Sequence, residues 1–568
     1  MSMQVIVVGA VALGPKAAVR LKRLRPEARV VMIDRDERIS YGGCGIPYFI
    51  SGDVSEPAQL MTTSFHMVRD ADFFRRAKGV EVLSRTEVLA VQRAEKRVRL
   101  RSLATGEESF LSYDKLVLAT GSRPRRLGVP GEDLAGVFTV SSLSEAIRIK
   151  ETMTAGRVER AVVVGAGPIG LEIAAALADL WDIETTVIEI TDQVLPGMIG
   201  PILAHMAQDH LAERGVRVLL AERVLRLEGG ETVERVVTER GTLETDLVIV
   251  AVGVQPSADL AREAGLALTE RGAVKVNARF QTSDPDIYAG GDCIENVSLV
   301  TGGLVYTPMG SLANRQGRVI GTNLAGLEET FDGVVGSFIV KIFDLTVAGA
   351  GLSLPRAEAE GFEALSVLVV QGDRAHFYPG MELLYLELVV ERPGGRVLGI
   401  QGLSPQGEAL ATRVNAVAAL LGRRPHARDV SQLELAYSPP YAMAMDVVNV
   451  LGNVAENTLA GLQEVVEVDE FARLLEGREQ GRTLFLDVRG PQNARPFVEA
   501  YGGWWMNIPQ EELAERLKEV PRDKDLIVVC NNGARSYEAL LALRQAGLSS
   551  RNLQGGVGAL KRWGWKVS

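Results

Sequence analysis

The chain is short of cysteine: 568 residues hold only Cys44, Cys293 and Cys530. Three scattered thiols exclude a disulfide-stapled secreted fold and favour a reducing compartment, here the cytoplasm. Long hydrophobic runs are also missing, and no stretch approaches the roughly 20 apolar residues that span a bilayer. The apolar opening Gln4-Val5-Ile6-Val7-Val8-Gly9 lacks a basic leader and a small-residue cleavage site, so it reads as a first strand. Positive charge is in deficit, with 62 basic against 72 acidic residues and a net charge of −10. That balance argues against a nucleic-acid or anionic-membrane partner. No metal site is expected. Finally, Cys44 has no second cysteine near it, so any redox cycle there must be completed with an external sulfur or oxygen.

What is present begins with length, enough for three or four domains with large cores. Two segments share one pattern: an apolar strand, a glycine turn, a helix, and a second strand ending in an acid. The first runs from Val5–Val8 through Gly9 and Gly14 to Val30-Val31-Met32-Ile33-Asp34. The second runs from Ala161–Val164 through Gly165-Ala166-Gly167-Pro168-Ile169-Gly170 to Thr186-Val187-Ile188-Glu189. Each is a βαβ dinucleotide-binding unit. The glycines let backbone approach a pyrophosphate at a helix N-terminus, and Asp34 and Glu189 would accept hydrogen bonds from ribose hydroxyls. The first copy is the weaker match, with Val11 in place of the middle glycine. Glu189 favours NADH, since a carboxylate repels a 2′-phosphate; NADPH is the alternative donor. Residues 326–455 show no such fingerprint and read as mixed strand and helix, with an apolar run at Leu383–Val390. After residues 457–461 a module of about 100 residues follows, with strand-like runs at Thr483–Asp487 and Leu526–Val529.

Further motifs carry a resemblance. Tyr41-Gly42-Gly43-Cys44-Gly45-Ile46-Pro47-Tyr48, Leu118-Ala119-Thr120-Gly121-Ser122, Ile287-Tyr288-Ala289-Gly290-Gly291-Asp292 and Asn314-Arg315-Gln316-Gly317-Arg318 make residues 1–455 resemble the single-cysteine branch of the pyridine nucleotide–disulfide oxidoreductases. Leu486-Asp487-Val488-Arg489 and Cys530-Asn531-Asn532-Gly533-Ala534-Arg535-Ser536 make residues 463–568 resemble a rhodanese domain. Together they resemble the coenzyme A-disulfide reductase–rhodanese fusions, also called NADH-dependent persulfide reductases. The resemblance implies an α/β fold. Two Rossmann-like dinucleotide-binding domains would be joined by an α+β dimerisation domain and a C-terminal rhodanese domain. FAD would be bound by residues 1–148 and 271–325, NAD(H) by 149–270, with dimerisation through 326–455 and the rhodanese domain over 463–568.

The resemblance also assigns roles. Gly9, Gly14, Asp34, Thr120, Gly121 and Asp292 would hold FAD, and Gly165, Gly167, Gly170 and Glu189 the nicotinamide dinucleotide. Cys44 would be the redox cysteine beside the flavin. Cys293, directly after Asp292, reads as structural. Tyr437 and Tyr378 would face the redox cysteine across a homodimer and donate protons to a departing thiolate; Phe377 stands where relatives often have a second tyrosine. Cys530 ends an apolar strand and opens a tight loop whose N–H groups would cradle a thiolate or persulfide, with Arg535 adding charge or bracing the loop. Upstream, Gly502-Gly503-Trp504-Trp505 replaces the usual Gly-His pair, a departure expected to affect packing more than the loop. Arg20, Lys22 and Arg23 on the first helix could meet the phosphates of coenzyme A, or form a solvated face.

These assignments imply reduction of persulfides, polysulfides or coenzyme A disulfides by NADH, with the rhodanese domain handling sulfane sulfur. Two alternatives stand beside this reading. One is an NADH oxidase or peroxidase cycling Cys44 through a sulfenic acid. Peroxidases of this family carry a histidine in the first glycine loop, which here reads Gly9-Ala10-Val11-Ala12-Leu13-Gly14. The other is a redox-sensing sulfur carrier.

Overall fold

The computed structural model describes residues 2–156 and 158–567. They form two compact units, the described residues of the first lying within 2–190, 215–298 and 302–334, those of the second within 191–214, 299–301 and 335–567.

In the first unit, strand β1 (Gln4–Val8) leads through a glycine turn into helix α1 (Leu13–Leu24) and then strand β2 (Arg29–Ile33). Val5 to Val8 and Val30 to Ile33 are buried, as expected of β-branched residues in a central parallel strand. A short helix α2 (Ile46–Ser51) and strands β3 (Glu81–Leu83) and β4 (Lys115–Leu118) follow. The second βαβ unit adds β5 (Val137–Thr139), β6 (Arg160–Val164), α3 (Pro168–Leu180) and β7 (Glu184–Ile188). Next in the chain come helix α4 (Pro201–Glu213), strands β8 (Arg217–Leu219), β9 (Leu247–Val250) and β10 (Ile287–Ala289), and helix α5 (Gly310–Leu324).

These strands make two parallel five-stranded sheets, ordered β10-β4-β1-β2-β3 and β8-β7-β6-β9-β5. Both are doubly wound and of the Rossmann type. Helix α5 packs on α1 at close range because its Gly317 and Gly321 have no side chain. A Cβ at Gly317 would lie 2.7 Å from the Leu13 carbonyl oxygen, and one at Gly321 would lie 2.6 Å from that of Ala17.

The segment 191–214, which contains α4, groups with the second unit rather than with the remainder of residues 149–270. The second unit's antiparallel sheet is built from β11 (Phe338–Ile342), β12 (Leu345–Gly351), β13 (Ala364–Gly372), β14 (Leu383–Glu391) and β15 (Val397–Ser404), in the order β11-β12-β15-β14-β13. Helices α6 (Gly407–Leu421) and α7 (Val447–Leu459) cover one face. The C-terminal module is α/β. It contains β16 (Val465–Val466), α8 (Val468–Glu476), β17 (Thr483–Asp487), β18 (Trp505–Asn507), β19 (Asp525–Val529), α9 (Ala534–Gln545), β20 (Ser550–Leu553) and α10 (Gly556–Arg562). Its sheet is parallel, ordered β16-β20-β19-β17-β18.

The module is seated on edge strand β13. Gln554 accepts a hydrogen bond from the Leu368 N–H and donates to the Ser366 carbonyl at 3.5 Å. Among the described residues, no helix is long and apolar enough to cross a membrane.

Candidate functional site

The first glycine turn admits no side chain at either of its glycines. Gly9 has φ +106°, and a Cβ there would lie 2.1 Å from the Ala119 carbonyl oxygen. One at Gly14 would lie 1.9 Å from the Gly9 oxygen. Asp34, at the end of β2, accepts the Ala10 N–H at 2.7 Å and the Asp36 N–H at 2.9 Å. Burial pushes its carboxyl pKa up, against the pull of those amides. The second turn repeats the design. Gly165 has φ +108°, a Cβ at Gly170 would lie 1.9 Å from the Gly165 oxygen, and Glu189 accepts the Ala166 N–H at 2.8 Å. In both copies the strand-end acid braces the residue after the first glycine, a second duty that the motif does not reveal. Gly167 differs from its neighbours, because a Cβ there would meet nothing within 4 Å.

Other candidate cofactor residues cluster in the first unit. Thr120 donates to the Ser257 carbonyl at 2.6 Å, and Gly121 turns the chain at φ +67°. Ser122 donates to the Asp292 carboxylate at 3.1 Å, and burial raises the Asp292 pKa. Gln316 accepts the Gly291 N–H at 2.7 Å, which fixes the turn carrying Asp292 to helix α5. Cys293 is fully buried, with its thiol donating to the Gly290 carbonyl at 3.2 Å and its pKa pushed up to about 11 by burial. These residues fit two dinucleotides. Each loop offers a tight turn on glycines that exclude a Cβ, a helix N-terminus and an acid at the second strand's end. The clear space before Gly167 lies where the second loop needs close approach.

Cys44 is exposed, in a single 3₁₀ turn (Gly43–Gly45) that runs into α2. Gly45 must lack a side chain, since a Cβ there would lie 2.5 Å from Leu60. Gly43, in contrast, faces open space. Sulfur Sγ lies 3.6 Å from where a Cβ on Gly310 would stand, so the first residue of α5 approaches it. That helix turns the positive end of its dipole toward the sulfur. Helix α2 is held by the Trp181 indole, which donates to the Ile50 carbonyl at 2.8 Å, and by Tyr48 with Glu172 at 3.3 Å.

Tyr378 and Tyr437 belong to the second unit, 40% and 52% exposed, on two loops brought side by side by an Ala375 N–H to Pro439 carbonyl bond of 3.1 Å. Phe377 and Tyr441 are exposed on the same loops.

Cys530 ends β19 and is buried. Its Sγ accepts the Gly533 N–H at 3.1 Å and faces the Ser536 hydroxyl at 3.2 Å. Ser536 also reaches Asn552 at 2.6 Å, and Asn552 donates back to the Gly533 carbonyl at 3.1 Å. The first turn of α10 supports the loop from beneath: Val557 N–H bonds the Cys530 carbonyl and Gly558 N–H that of Asn531. Gly556 leaves no room there, since its Cβ would lie 2.5 Å from the Cys530 oxygen. Arg535 is half-buried at the loop's end. The Trp504-Trp505 departure acts on packing: Trp505 stacks between Phe485 and Phe497 and donates to Asp487 at 3.1 Å. Asp487 and Arg489 form a buried ion pair of 2.7 Å.

The basic residues of α1 divide. Arg20 ties α1 to α5 through Thr322 at 3.0 Å, Lys22 donates to the Ala28 carbonyl at 2.9 Å, and Arg23 is exposed. Sequence reasoning missed Ser536 and Asn552 around Cys530, Gly310 beside Cys44, and a buried Arg413–Asp446 pair below the tyrosine loops. Only the position of Ser536, in the first turn of the helix that follows the Cys530 loop, was a usable signal.

Comparison with known proteins follows this layout. A family model described as pyridine nucleotide-disulphide oxidoreductase matches residues 3–305, its dimerisation domain matches 337–447, and a rhodanese-like domain matches 468–562. An NAD(P)H sulfur oxidoreductase (CoA-dependent) from Pyrococcus abyssi is 35% identical over 79% of this chain and 97% of its own length. The solved NAD-dependent persulfide reductase from A. fulgidus is 39% identical, covers 98% of this chain and all of its own, and superposes with a TM-score of 0.92. Reduced Bacillus anthracis CoADR-RHD is 33% identical, covers 99% of this chain and 98% of its own, and superposes with a TM-score of 0.90.

Proposed function

The chain belongs to the pyridine nucleotide-disulphide oxidoreductase family, and on that premise we propose that it is an FAD-dependent NAD(P)H reductase of persulfides, polysulfides and coenzyme A disulfides with a sulfane-sulfur-handling rhodanese domain. The observation that carries this reading is Cys44: exposed, approached by a helix N-terminus, and the one exposed cysteine of three. With no resolving thiol beside it, its sulfur must bond to a sulfur or oxygen from outside. The second thiol-active site, Cys530 with the Gly533 N–H and the Ser536 hydroxyl around it, makes sulfur the currency.

Held by the residues of the first glycine loop, Thr120, Gly121 and Asp292, FAD would supply two-electron chemistry between NADH and the sulfur on Cys44. The chain's own residues do the rest. The Cys44 thiolate attacks the substrate's sulfur–sulfur bond and keeps one sulfur as a mixed disulfide or persulfide. The departing thiolate, that of coenzyme A for instance, takes a proton from Tyr437, with Tyr378 beside it, across a homodimer. Arg20, Lys22 and Arg23 line the α1 face offered to coenzyme A phosphates; since Arg20 and Lys22 already have protein partners, Arg23 is the freest to bind. Gly9, Gly14, Asp34, Thr120, Gly121 and Asp292 hold FAD, and Gly165, Gly167, Gly170 and Glu189 hold the nicotinamide dinucleotide. Cys530 carries sulfane sulfur to or from thiol acceptors, with Arg535 attracting anionic donors. A reducing cytoplasm suits the free thiols.

The test is anaerobic NADH oxidation by wild type and Cys44→Ser, with coenzyme A persulfide, polysulfide or coenzyme A disulfide, while sulfide is measured. Wild type should turn over and release sulfide from the first two substrates. Cys44→Ser should lose at least about a thousandfold in kcat, as expected for loss of a covalent nucleophile, yet still accept hydride onto its flavin. NADH oxidation that needs oxygen or peroxide would replace this reading with a sulfenic-acid cycle.

A further inference from the structure

Arg413 is only 7% exposed, on helix α6. Its guanidinium binds the Asp446 carboxylate twice, with Nη2 at 2.8 Å and Nε at 3.2 Å. The same Nη2 donates at 3.0 Å to the Asp373 carbonyl and at 3.0 Å to the Tyr441 carbonyl. Those two carbonyls belong to different loops. Asp373 closes the loop carrying Tyr378, donating its N–H to the Glu382 carbonyl at 2.9 Å and accepting the Glu382 N–H on its carboxylate at 3.0 Å. Tyr441 lies in the loop carrying Tyr437, and Asp446 ends it by capping α7 through the Val448 N–H at 3.1 Å.

A buried ion pair is costly to desolvate, and apolar residues of similar size often serve stability as well or better. What an apolar residue cannot supply is a rigid planar fork reaching carbonyls on two loops at once. The loop tips need such an anchor, because Tyr378 and Tyr437 are largely exposed and have no core of their own. Two further links run parallel to it, Ala375 N–H to the Pro439 carbonyl and the Gln371 amide to the Met445 carbonyl at 2.8 Å.

We propose that Arg413, paired with Asp446, is a positioning residue that sets the spacing of Tyr378 and Tyr437. It rests on the reading that these tyrosines donate protons to the departing thiolate. A phenol displaced by about 1 Å from its acceptor loses much of its catalytic effect, so the consequence is kinetic rather than only structural.

The experiment uses the FAD-loaded full chain and coenzyme A disulfide, with Arg413→Lys, Tyr437→Phe, Tyr378→Phe and the double variant Arg413→Lys/Tyr437→Phe. Flavin reduction by NADH is followed by stopped flow, kcat and KM by steady state. Arg413→Lys should keep the wild-type rate of flavin reduction, lose about tenfold in kcat, and change KM by less than about twofold. The double variant should lose less than the product of the two single losses, because part of the Arg413→Lys effect is exerted through the Tyr437 phenol that is already gone. Multiplying losses, or a wild-type kcat for Arg413→Lys beside a slow Tyr437→Phe, would overturn the inference alone. Wild-type kcat in both tyrosine variants would instead bring down the proton-donation reading, and the inference with it. If Arg413→Lys does not fold, Asp446→Asn, which keeps the cap on α7 and removes the charge partner, answers the same question by the same measurements.

Discussion

Gly533 donates its N–H to the Cys530 sulfur at 3.1 Å, and the Ser536 hydroxyl, 3.2 Å from the same sulfur, can turn its single hydrogen to it from Asn552 when the sulfur is anionic. The backbone N–H cannot be removed without remaking the loop, but the hydroxyl can. Hydrogen bonds to a charged acceptor contribute about 1.5–3 kcal/mol, so Ser536→Ala should slow sulfur transfer from thiosulfate through Cys530 by about tenfold or more. Cys44-dependent NADH oxidation with coenzyme A disulfide should be unaffected. A sulfur-transfer rate equal to wild type would show that the amide alone stabilises the anionic sulfur. Asn552 Oδ1 accepts that hydrogen at 2.6 Å when the sulfur does not, while its amide donates to the Gly533 carbonyl at 3.1 Å and so holds the loop.

At the scale of elements, strand β14 buries a charge-bearing group in its centre. Glu387 is 5% exposed, its Oε2 has no hydrogen-bond partner among the described residues, and it lies against Gly200 at the start of α4. Burial pushes its carboxyl up to about 7. Glu467, which directly precedes α8 and accepts from Gln554 at 3.0 Å, is pushed up to about 8 by burial, with the fields of Glu387, Asp469 and Glu470 adding to it. Both groups start from an ordinary value of 4.5, so between there and pH 8 the folded chain binds more protons than the unfolded one. Stability therefore falls as pH rises through that window. Glu387→Gln removes part of the dependence: its melting temperature should exceed wild type by about 3 °C or more at pH 8.5 and match it near pH 4.5. An equal shift at both values would mean that charge is not what the carboxyl contributes.

At the scale of the whole molecule, Gln554 joins the C-terminal module to strand β13, and Gly555 packs against Leu368 and Val370 of that strand. A chain ended at residue 462 should uncover this strand, and its melting temperature should drop by several degrees relative to the full chain. Retention of the full-chain value would mean that the contact adds nothing to the fold. How far the sequence announced all this depends on the range of each interaction. The glycine loops, Asp34, Glu189, Cys44 and Cys530 were legible because their chemistry is local: a turn that excludes Cβ, an acid one strand later, a thiol at a strand end. Strand β14 was legible as the apolar run Leu383–Val390. The Arg413 fork was not, since its partners at 373, 441 and 446 are distant in sequence and two of them are backbone carbonyls. The grouping of helix α4 was not legible either: it lies inside 149–270 in sequence, but residues 191–214 group with the second unit.

Strand β13 stands at the margin of its sheet, and the amide of Gln554 occupies hydrogen-bonding positions that a neighbouring strand would use. An uncovered margin of this kind is a template on which other chains can pair and aggregate. The fused rhodanese-like module thus also guards this edge against self-association. A lineage that lost the module would have to disguise the bared edge with a proline, a lysine or a bulge before the shortened enzyme could be kept in solution.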